Sequence, residues 1–280
     1  MTGMYRAGPS VRGDDGRGPL VVRSVRSRVF AGASPLAADR DHTARHEIYL
    51  TDMLRPHGLK PDDAGDGRGQ SFGEMAAAVI AEAVTPDQPV DLLVLAFAGP
   101  DITPGRATAT YLSHLCPGGP LAFAICDQGS AAAFTGLRLI DDYTRTGPAR
   151  SGLLVIVEQA DLHHEPAAAV ALPARPVAVA VRTGRGTGPG AVALRRHADV
   201  PPAQVAELLA AEVRATGDVP VLLSASLATA GGRGQVVPAG QPLTGIWSAL
   251  AGPPGEHRTL LADYDPDLHY LSLCTIGTPC

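Results

Sequence analysis

The fold is decided by residues 120–159, which read PLAFAICDQGSAAAFTGLRLIDDYTRTGPARSGLLVIVEQ. A short apolar run at Pro120–Asp127 predicts a β-strand. The longer stretch Ser130–Gly147 predicts a helix that ends at its glycine. The run Gly152–Gln159, rich in Leu and Val, predicts a second strand. A strand, a helix and a strand in this order indicate an α/β protein with a largely parallel sheet.

The same alternation continues on both sides of this stretch. Further strands are predicted at Leu20–Phe30, Asp91–Gly99, Pro176–Gly184, Gly190–His197, Pro220–Leu227 and in the final runs RTLLADY and LHYLSLCTI. Further helices are predicted at Phe72–Val84, Pro201–Gly217 and Leu243–Leu250.

The order of these elements suggests two related halves, about 20–165 and 166–280. Neither half looks able to close a core of its own, so we predict one domain over residues 20–280. Residues 1–19 are rich in Gly, Arg and Asp, and we expect them to form a disordered leader.

Composition excludes several classes of function. The net charge is -5, Lys60 is the only lysine, and the other 22 of the 23 cationic residues are arginines scattered along the chain. Because these basic residues form no cluster in the sequence, we do not expect the protein to bind nucleic acid. No apolar run approaches the ~20 residues of a membrane helix, and no signal peptide is visible. The four cysteines show no metal-ligand spacing. We therefore expect a cytoplasmic protein with reduced thiols, no metal and no bound cofactor.

The central segment resembles the thiolase fold, specifically the β-ketoacyl-acyl-carrier-protein synthase III branch. In that family a strand ends at a tight turn that delivers a cysteine to the start of a buried helix. That helix runs to a glycine, and a Leu- and Val-rich strand ending in an acidic residue follows. Residues Met75–Asp101 resemble the preceding helix and strand, and LLADYDPDLHYLSLCTI resembles the terminal hairpin. The resemblance implies thiolase-like α/β/α/β/α layers built from two pseudo-repeated halves, with the second half shortened.

The resemblance places a serine where the family has its cysteine nucleophile. Alignment on Gly147, Leu137 and Tyr143 puts Ser130 at that position. A helix N-terminus lowers the pKa of a thiol, but a serine hydroxyl is too weak an acid and needs an adjacent base. Ser130 is therefore either a candidate nucleophile or simply the N-cap of the helix, a role that serine often fills.

The turn before Ser130 is the candidate elbow of the pocket. Gly129 permits a tight backbone approach, and Gln128, which follows Asp127, can donate an amide hydrogen bond. Cys126 is an alternative nucleophile if the helix is shifted by one turn. A cysteine in a buried strand is more often an inert small hydrophobe.

The other two catalytic groups of the family are missing from this sequence. Its histidine should follow the strand Pro220–Leu227, where this chain has Ser224 or Ser226, and no histidine occurs between His197 and His257. The sequence contains no asparagine at all. Because the family's decarboxylative condensation needs both groups to stabilise an enolate, this chain alone is not expected to be an ordinary condensing enzyme.

Three functions remain open. The first is a catalytically degenerate ketosynthase-like subunit of polyketide or fatty-acid-type natural-product biosynthesis, which pairs with an active ketosynthase and shapes acyl-chain binding, as a chain-length factor does. The second is a Ser130-dependent acyltransferase that uses acyl-CoA or acyl-carrier-protein thioesters. The third is a non-catalytic homodimeric acyl-binding protein. The expected partners are thus a ketosynthase or a second copy, together with an acyl carrier protein.

Overall fold

The structure is a computed structural model that describes residues 18–61, 69–103, 107–164, 172–186, 191–230, 234–251 and 258–277. The predicted leader lies outside these residues except for its last two positions. The strands of the first half are β1 (Leu20–Val29), β2 (Leu92–Ala96), β3 (Leu121–Ile125), β4 (Ser151–Glu158) and β5 (Val177–Arg185). Those of the second half are β6 (Ala193–His197), β7 (Val221–Leu223), β8 (Gln235–Val236), β9 (Arg258–Asp265) and β10 (Tyr270–Gly277). The helices are α1 (Arg40–Leu54), α2 (Phe72–Ala83), α3 (Thr108–Leu115), α4 (Ala132–Thr146), α5 (Pro202–Thr216) and α6 (Gly245–Ser248).

The strands form two five-stranded sheets with the same connectivity. The first has the order β1-β5-β4-β2-β3 and the second the order β6-β10-β9-β7-β8. In each sheet the last strand of the half runs antiparallel to both of its neighbours, and the remaining neighbours pair in parallel. The two halves are therefore repeats of one topology, which confirms the predicted pseudo-repeat. The predicted boundary at 165/166 is wrong, because β5 pairs with β1 and β4 and thus belongs to the first half. Both sheets are mixed and not largely parallel, since two of the four pairings in each are antiparallel.

Three apolar cores separate the layers. The innermost core lies between the two sheets and includes residues of both halves, among them Leu137 of α4 and Trp247 of α6. A second core packs α2 and α3 on the outer face of the first sheet. A third core packs α5, through Val205 and Leu209, on the outer face of the second sheet. The layer order is α/β/α/β/α, as expected, and because the innermost core needs both sheets, neither half buries its apolar face alone.

The second half is the shorter copy. Its counterpart of the 15-residue α4 is α6 with four residues, and its counterpart of the five-residue β3 is β8 with two. None of the helices among the described residues is long and apolar enough to cross a membrane.

Two helices and one strand were not predicted. Helix α1 buries only Leu50 and Leu54, so its sequence carries almost no apolar periodicity. Helix α3 buries only Leu112, and β8 is too short to show alternation. The predicted strand at Pro220–Leu227 is also shorter than expected, because the chain leaves β7 after Leu223 and makes a single 3₁₀ turn over Ala225–Leu227.

Glycine allows α4 to lie close against the first sheet. A Cβ atom on Gly152 of β4 would meet Ile140 Cγ2 at 2.5 Å and Thr183 Oγ1 at 3.2 Å. The Ile140 methyl is attached at Cβ and cannot swing away like the end of a long side chain. Helix α4 therefore packs so closely on β4 that residue 152 has room for a hydrogen atom but not for a methyl group.

We expect Gly152→Ala to lower the free energy of unfolding by about 1–3 kcal/mol, because overpacking displaces α4 from the sheet. The measurement is urea unfolding followed by circular dichroism. Gly99→Ala is the matched control, since a Cβ there meets nothing within 4 Å. Equal stabilities for the two variants would contradict the predicted packing constraint.

Candidate functional site

A tight elbow connects β3 to α4. Asp127 (φ 59°) and Gly129 (φ 49°) both adopt left-handed backbone conformations, and Gly129–Ala131 form a single 3₁₀ turn before the helix. A Cβ atom on Gly129 would lie 1.9 Å from Oδ2 of Asp265, at the end of β9. No residue with a side chain fits this position without moving Asp265, so the elbow of the first half depends on the last hairpin of the second.

Ser130 is half-buried and does not cap α4. The N-cap position of the helix is Ala131, and no side chain caps it, so the N-cap interpretation of Ser130 is wrong. The Ser130 hydroxyl instead donates to Oδ2 of Asp263 at 2.5 Å, and its backbone N–H donates to Oδ2 of Asp265 at 2.9 Å. Both hydrogen-bond donors of this serine therefore go to carboxylates of β9.

The two carboxylates differ in their surroundings. Asp265 is held by the backbone N–H groups of Asp267 and Leu268 at 3.1 and 2.9 Å, in the turn between β9 and β10. Asp263 is fully buried, and burial raises its pKa from 3.8 to about 6, against hydrogen bonds from Ser130 and Ser224 that lower the pKa. The negative charges of Asp265 and Glu158 raise the pKa of Asp263 further.

The two serines after β7 join the same cluster. Ser224 and Ser226 place their Oγ atoms 2.8 Å apart, and Ser224 is hydrogen-bonded to Asp263. Ser130, the predicted nucleophile position, and Ser224, one of the two serines predicted for the histidine position, therefore meet on one carboxylate. Sequence reasoning missed Asp263 and Asp265, although two acidic residues spaced by two in an apolar strand, LLADYD, lie on one face of it.

Glu158 is a third buried carboxylate, at the end of β4. It accepts hydrogen bonds from the backbone N–H groups of Leu243 (2.6 Å) and Thr244 (3.0 Å), from the Thr244 hydroxyl (2.5 Å) and from Gln241 Nε2 (3.0 Å). Burial raises the pKa of Glu158, and these four donors oppose that rise. Glu158 thereby fixes the segment that leads into α6 and joins the halves a second time.

The remaining elbow residues contain no activated nucleophile. Cys126 is exposed, and its Sγ lies 3.3 Å from Oδ2 of Asp127. The hydrogen bond to Asp127 raises the pKa of the Cys126 thiol, which keeps it protonated and unreactive. Gln128 is held against α4 by its Oε1, which accepts a 2.5 Å hydrogen bond from Thr135 Oγ1.

The other described cysteines are buried in the cores. Burial raises the pKa of Cys116 to about 11 and raises that of Cys274 further. Among the described residues, no group of three or more His, Cys, Asp or Glu side chains is arranged to hold a metal ion.

A cavity of about 320 Å³ lies elsewhere, lined by Phe72, Leu95, Phe97 and Thr108 among others. These residues belong to the outer face of the first sheet, whereas Ser130 faces the inner layer. The cavity is therefore not the pocket expected at the elbow.

Comparison with known proteins identifies the fold. No protein-family model and no curated protein matches the sequence. Among solved structures, the chain is similar to 3-oxoacyl-(acyl carrier protein) synthase III of Pseudomonas aeruginosa PAO1, with a TM-score of 0.64 and 20% identity over 93% of this chain and 99% of that one. It is similar to the priming β-ketosynthase of the R1128 polyketide pathway, with a TM-score of 0.62 and 16% identity over 97% and 100%. The acyltransferase ChlB3 gives a TM-score of 0.62 and 16% identity over 93% and 98%. The chain thus has the thiolase-like fold of ketosynthase III enzymes, as the sequence resemblance predicted.

The raised pKa of Asp263 predicts a pH dependence of stability. Between about pH 4 and pH 6 Asp263 keeps its proton in the folded state but has lost it in the unfolded state. The uptake of this proton on folding stabilises the folded state at low pH. This stabilisation is lost as the pH rises through about 6. We expect the loss to be about 2–3 kcal/mol, and we expect Asp263→Asn to remove it.

The measurement is the free energy of unfolding of wild type and Asp263→Asn between pH 4 and pH 7.5. As the pH rises, the free energy of unfolding of Asp263→Asn should increase relative to that of the wild type. Asp267→Asn, which removes an exposed carboxylate of the same hairpin, is the control. Parallel curves for wild type and Asp263→Asn would show that Asp263 has an ordinary pKa.

Proposed function

We propose that this chain is a catalytically degenerate ketosynthase-like subunit that pairs with an active ketosynthase in polyketide- or fatty-acid-type biosynthesis. The observation that carries the proposal is the attachment of Ser130, at the family's nucleophile position, to two carboxylates. The fold shared with priming ketosynthases supports it.

The hydrogen bonds of Ser130 argue against acyl transfer at this position. A tetrahedral intermediate of acyl transfer carries an oxyanion, which needs preorganised donors such as backbone N–H groups. The N–H of Ser130 already donates to Asp265, and its hydroxyl also lies 3.3 Å from Asp265 Oδ2. An oxyanion here would meet carboxylates instead of donors, so the site destabilises the charge that catalysis must stabilise.

The groups for decarboxylative condensation are replaced as well. The resemblance puts Ser224 or Ser226 at the histidine position, and the hydrogen bond of Ser224 to Asp263 belongs to the same buried network. The absence of asparagine from the sequence removes the third group of the family. A partner that retains all three groups would supply the chemistry, and this chain would shape the acyl-chain site beside it.

Strand β3 supplies the surface for such a partner. Among the described strands it pairs with β2 alone; it contains no charged residue, and Leu121 is 58% exposed. Phe123 and the exposed Tyr143 of α4 contact each other beside it, with ring centroids 5.6 Å apart. An uncharged, unprotected edge is a template for pairing with another strand.

The other sheet edges among the described strands are protected. The outward-facing arginines of β1 and the basic residues of β6 put charge on two of them, and β8 has only two residues. These basic residues are Arg23, Arg26 and Arg28 on β1, and Arg195, Arg196 and His197 on β6. Because natural edge strands are commonly protected by charge or shortness, the exception at β3 favours a partner there.

The first test is intact-protein mass spectrometry after incubation with acetyl-CoA and with an acyl-carrier-protein thioester. We expect no acyl adduct on wild type, Ser130→Ala or Cys126→Ala. A ketosynthase with its Cys-His-Asn set intact serves as the positive control in the same assay. An adduct on wild type that disappears only in Ser130→Ala would overturn the proposal.

That outcome would support the second candidate, a Ser130-dependent acyltransferase. The 2.5 Å contact with Asp263 favours it, because a carboxylate with a pKa of about 6 is ionised at neutral pH and can accept a proton. Ser130 Oγ would attack the thioester carbonyl while its proton passes to Asp263 and then to the departing thiolate. An adduct lost only in Cys126→Ala would instead identify Cys126 as the nucleophile.

The second test concerns the partner. We expect a complex between this chain and a ketosynthase of the same organism that retains its Cys-His-Asn set, measured by size-exclusion chromatography with light scattering. Leu121→Arg should weaken the complex at least about tenfold, because it places a charge on the pairing edge. Leu268→Arg is the matched control, since Leu268 is 38% exposed in the β9–β10 turn. A stable homodimer that does not bind the ketosynthase would favour the third function, a non-catalytic acyl-binding protein.

A further inference from the structure

The cavity on the outer face of the first sheet lies at the carboxyl ends of two parallel strands. Leu95 of β2 and Ala124 of β3 are register partners that both line it, and the N–H of Phe97 donates to the backbone oxygen of Ile125 at 3.1 Å. From these two ends the chain continues to α3 on the outer face and to α4 on the inner face. In open α/β sheets, ligands bind in the crevice where the connections of neighbouring strands leave to opposite faces. The topology therefore opens a crevice where this cavity lies.

The lining of the cavity is apolar and accommodates rings. Phe72 and Leu95 are buried, Phe97 is half-buried, and the two phenylalanine rings have their centroids 5.1 Å apart. The volume of about 320 Å³ is twice that of a cavity of roughly 150 Å³ that holds benzene. Thr110 and Ala124 of the lining are exposed, so a ligand can enter from solvent. Small side chains leave the room for it, namely those of Ala107, Ala109 and Ala124.

Asp101 is the only charged residue among the described residues that line the cavity. Its Oδ1 accepts hydrogen bonds from the backbone N–H groups of Phe72 and Thr103, both at 3.1 Å. These two bonds fix the carboxylate beside the rings. A fixed negative charge attracts a hydrogen-bond donor and repels an anion, and both effects strengthen in apolar surroundings.

We propose that this cavity binds an uncharged two-ring aromatic molecule whose O–H or N–H group donates to Asp101. The rings of the ligand pack against Phe72 and Phe97, since aromatic pairs are stable in tilted and offset arrangements. The cavity belongs to the outer layer, so binding requires neither a partner ketosynthase nor chemistry at Ser130. The site stands or falls separately from the proposed function.

The first measurement is isothermal titration calorimetry of the wild-type chain with 2-naphthol and with 2-naphthoate, which carry a neutral donor and an anion on the same rings. We expect a Kd of about 0.1 mM for 2-naphthol and binding of 2-naphthoate at least about tenfold weaker. No binding of 2-naphthol up to about 1 mM would overturn the proposal. Binding of 2-naphthoate as tight as that of 2-naphthol would overturn it as well.

A substitution that fills the cavity locates the site. Ala109→Leu adds a branched side chain to the lining at a helical position where leucine is well accepted, and it should weaken 2-naphthol binding at least about tenfold. Ala206→Leu is the matched control, because it makes the same change at an exposed position of α5. Equal affinities of the two variants would show that 2-naphthol binds elsewhere and contradict the assignment.

A substitution at Asp101 tests the recognition of the donor. Asp101→Asn keeps an oxygen for the N–H groups of Phe72 and Thr103 but removes the charge. The preference for 2-naphthol over 2-naphthoate should fall at least about fivefold, because binding of the neutral donor weakens and repulsion of the anion ends. An unchanged preference would contradict the role of Asp101, since a merely structural residue would affect both ligands alike. Thermal unfolding checks that each variant is folded, and if Ala109→Leu is not, the preferences of wild type and Asp101→Asn decide.

Discussion

The carboxylates of Asp263 and Asp265 hold the two halves of the molecule in one arrangement at the elbow between β3 and α4. Asp265 fits against Gly129 so closely that a methyl group would collide with it, and it also accepts the N–H of Ser130. Asp263 accepts a hydrogen bond from the hydroxyl of Ser130 in the same turn. The elbow, the start of α4 and the last hairpin therefore cannot move independently. The innermost core between the two sheets forms around this junction.

A second junction repeats the same physical solution. Glu158 closes β4 of the first half and gathers four donors from the segment before α6 of the second. A buried carboxylate is costly unless donors surround it, and here the donors come from the opposite half of the chain. Buried acids thus connect the two halves at both of these junctions. Replacement of Asp265 by an apolar residue would leave three backbone N–H groups without this acceptor, and the same change at Glu158 would leave two.

Periodicity predicted the elements whose burial follows a simple pattern. The Leu- and Val-rich β4 and the helix α5, with Pro at its start and Gly at its stop, lie within a residue or two of their predicted bounds. Helix α1 was not predicted because two buried leucines in fifteen residues produce no apolar periodicity. The sequence resemblance predicted Ser130, and Ser224 or Ser226, as site residues without information on their neighbours. Asp263, which Ser130 and Ser224 share, lies 133 residues from Ser130, a separation that no local pattern spans.

The fit of Asp265 against Gly129 also limits what a cysteine at position 130 could do. Its thiol would lie against two carboxylates, which favour the protonated form of a thiol. Removing Asp265 as well would release the backbone N–H groups of Asp267 and Leu268 and loosen the final hairpin. An activated thiol at position 130 and an intact final hairpin are therefore mutually exclusive in this chain.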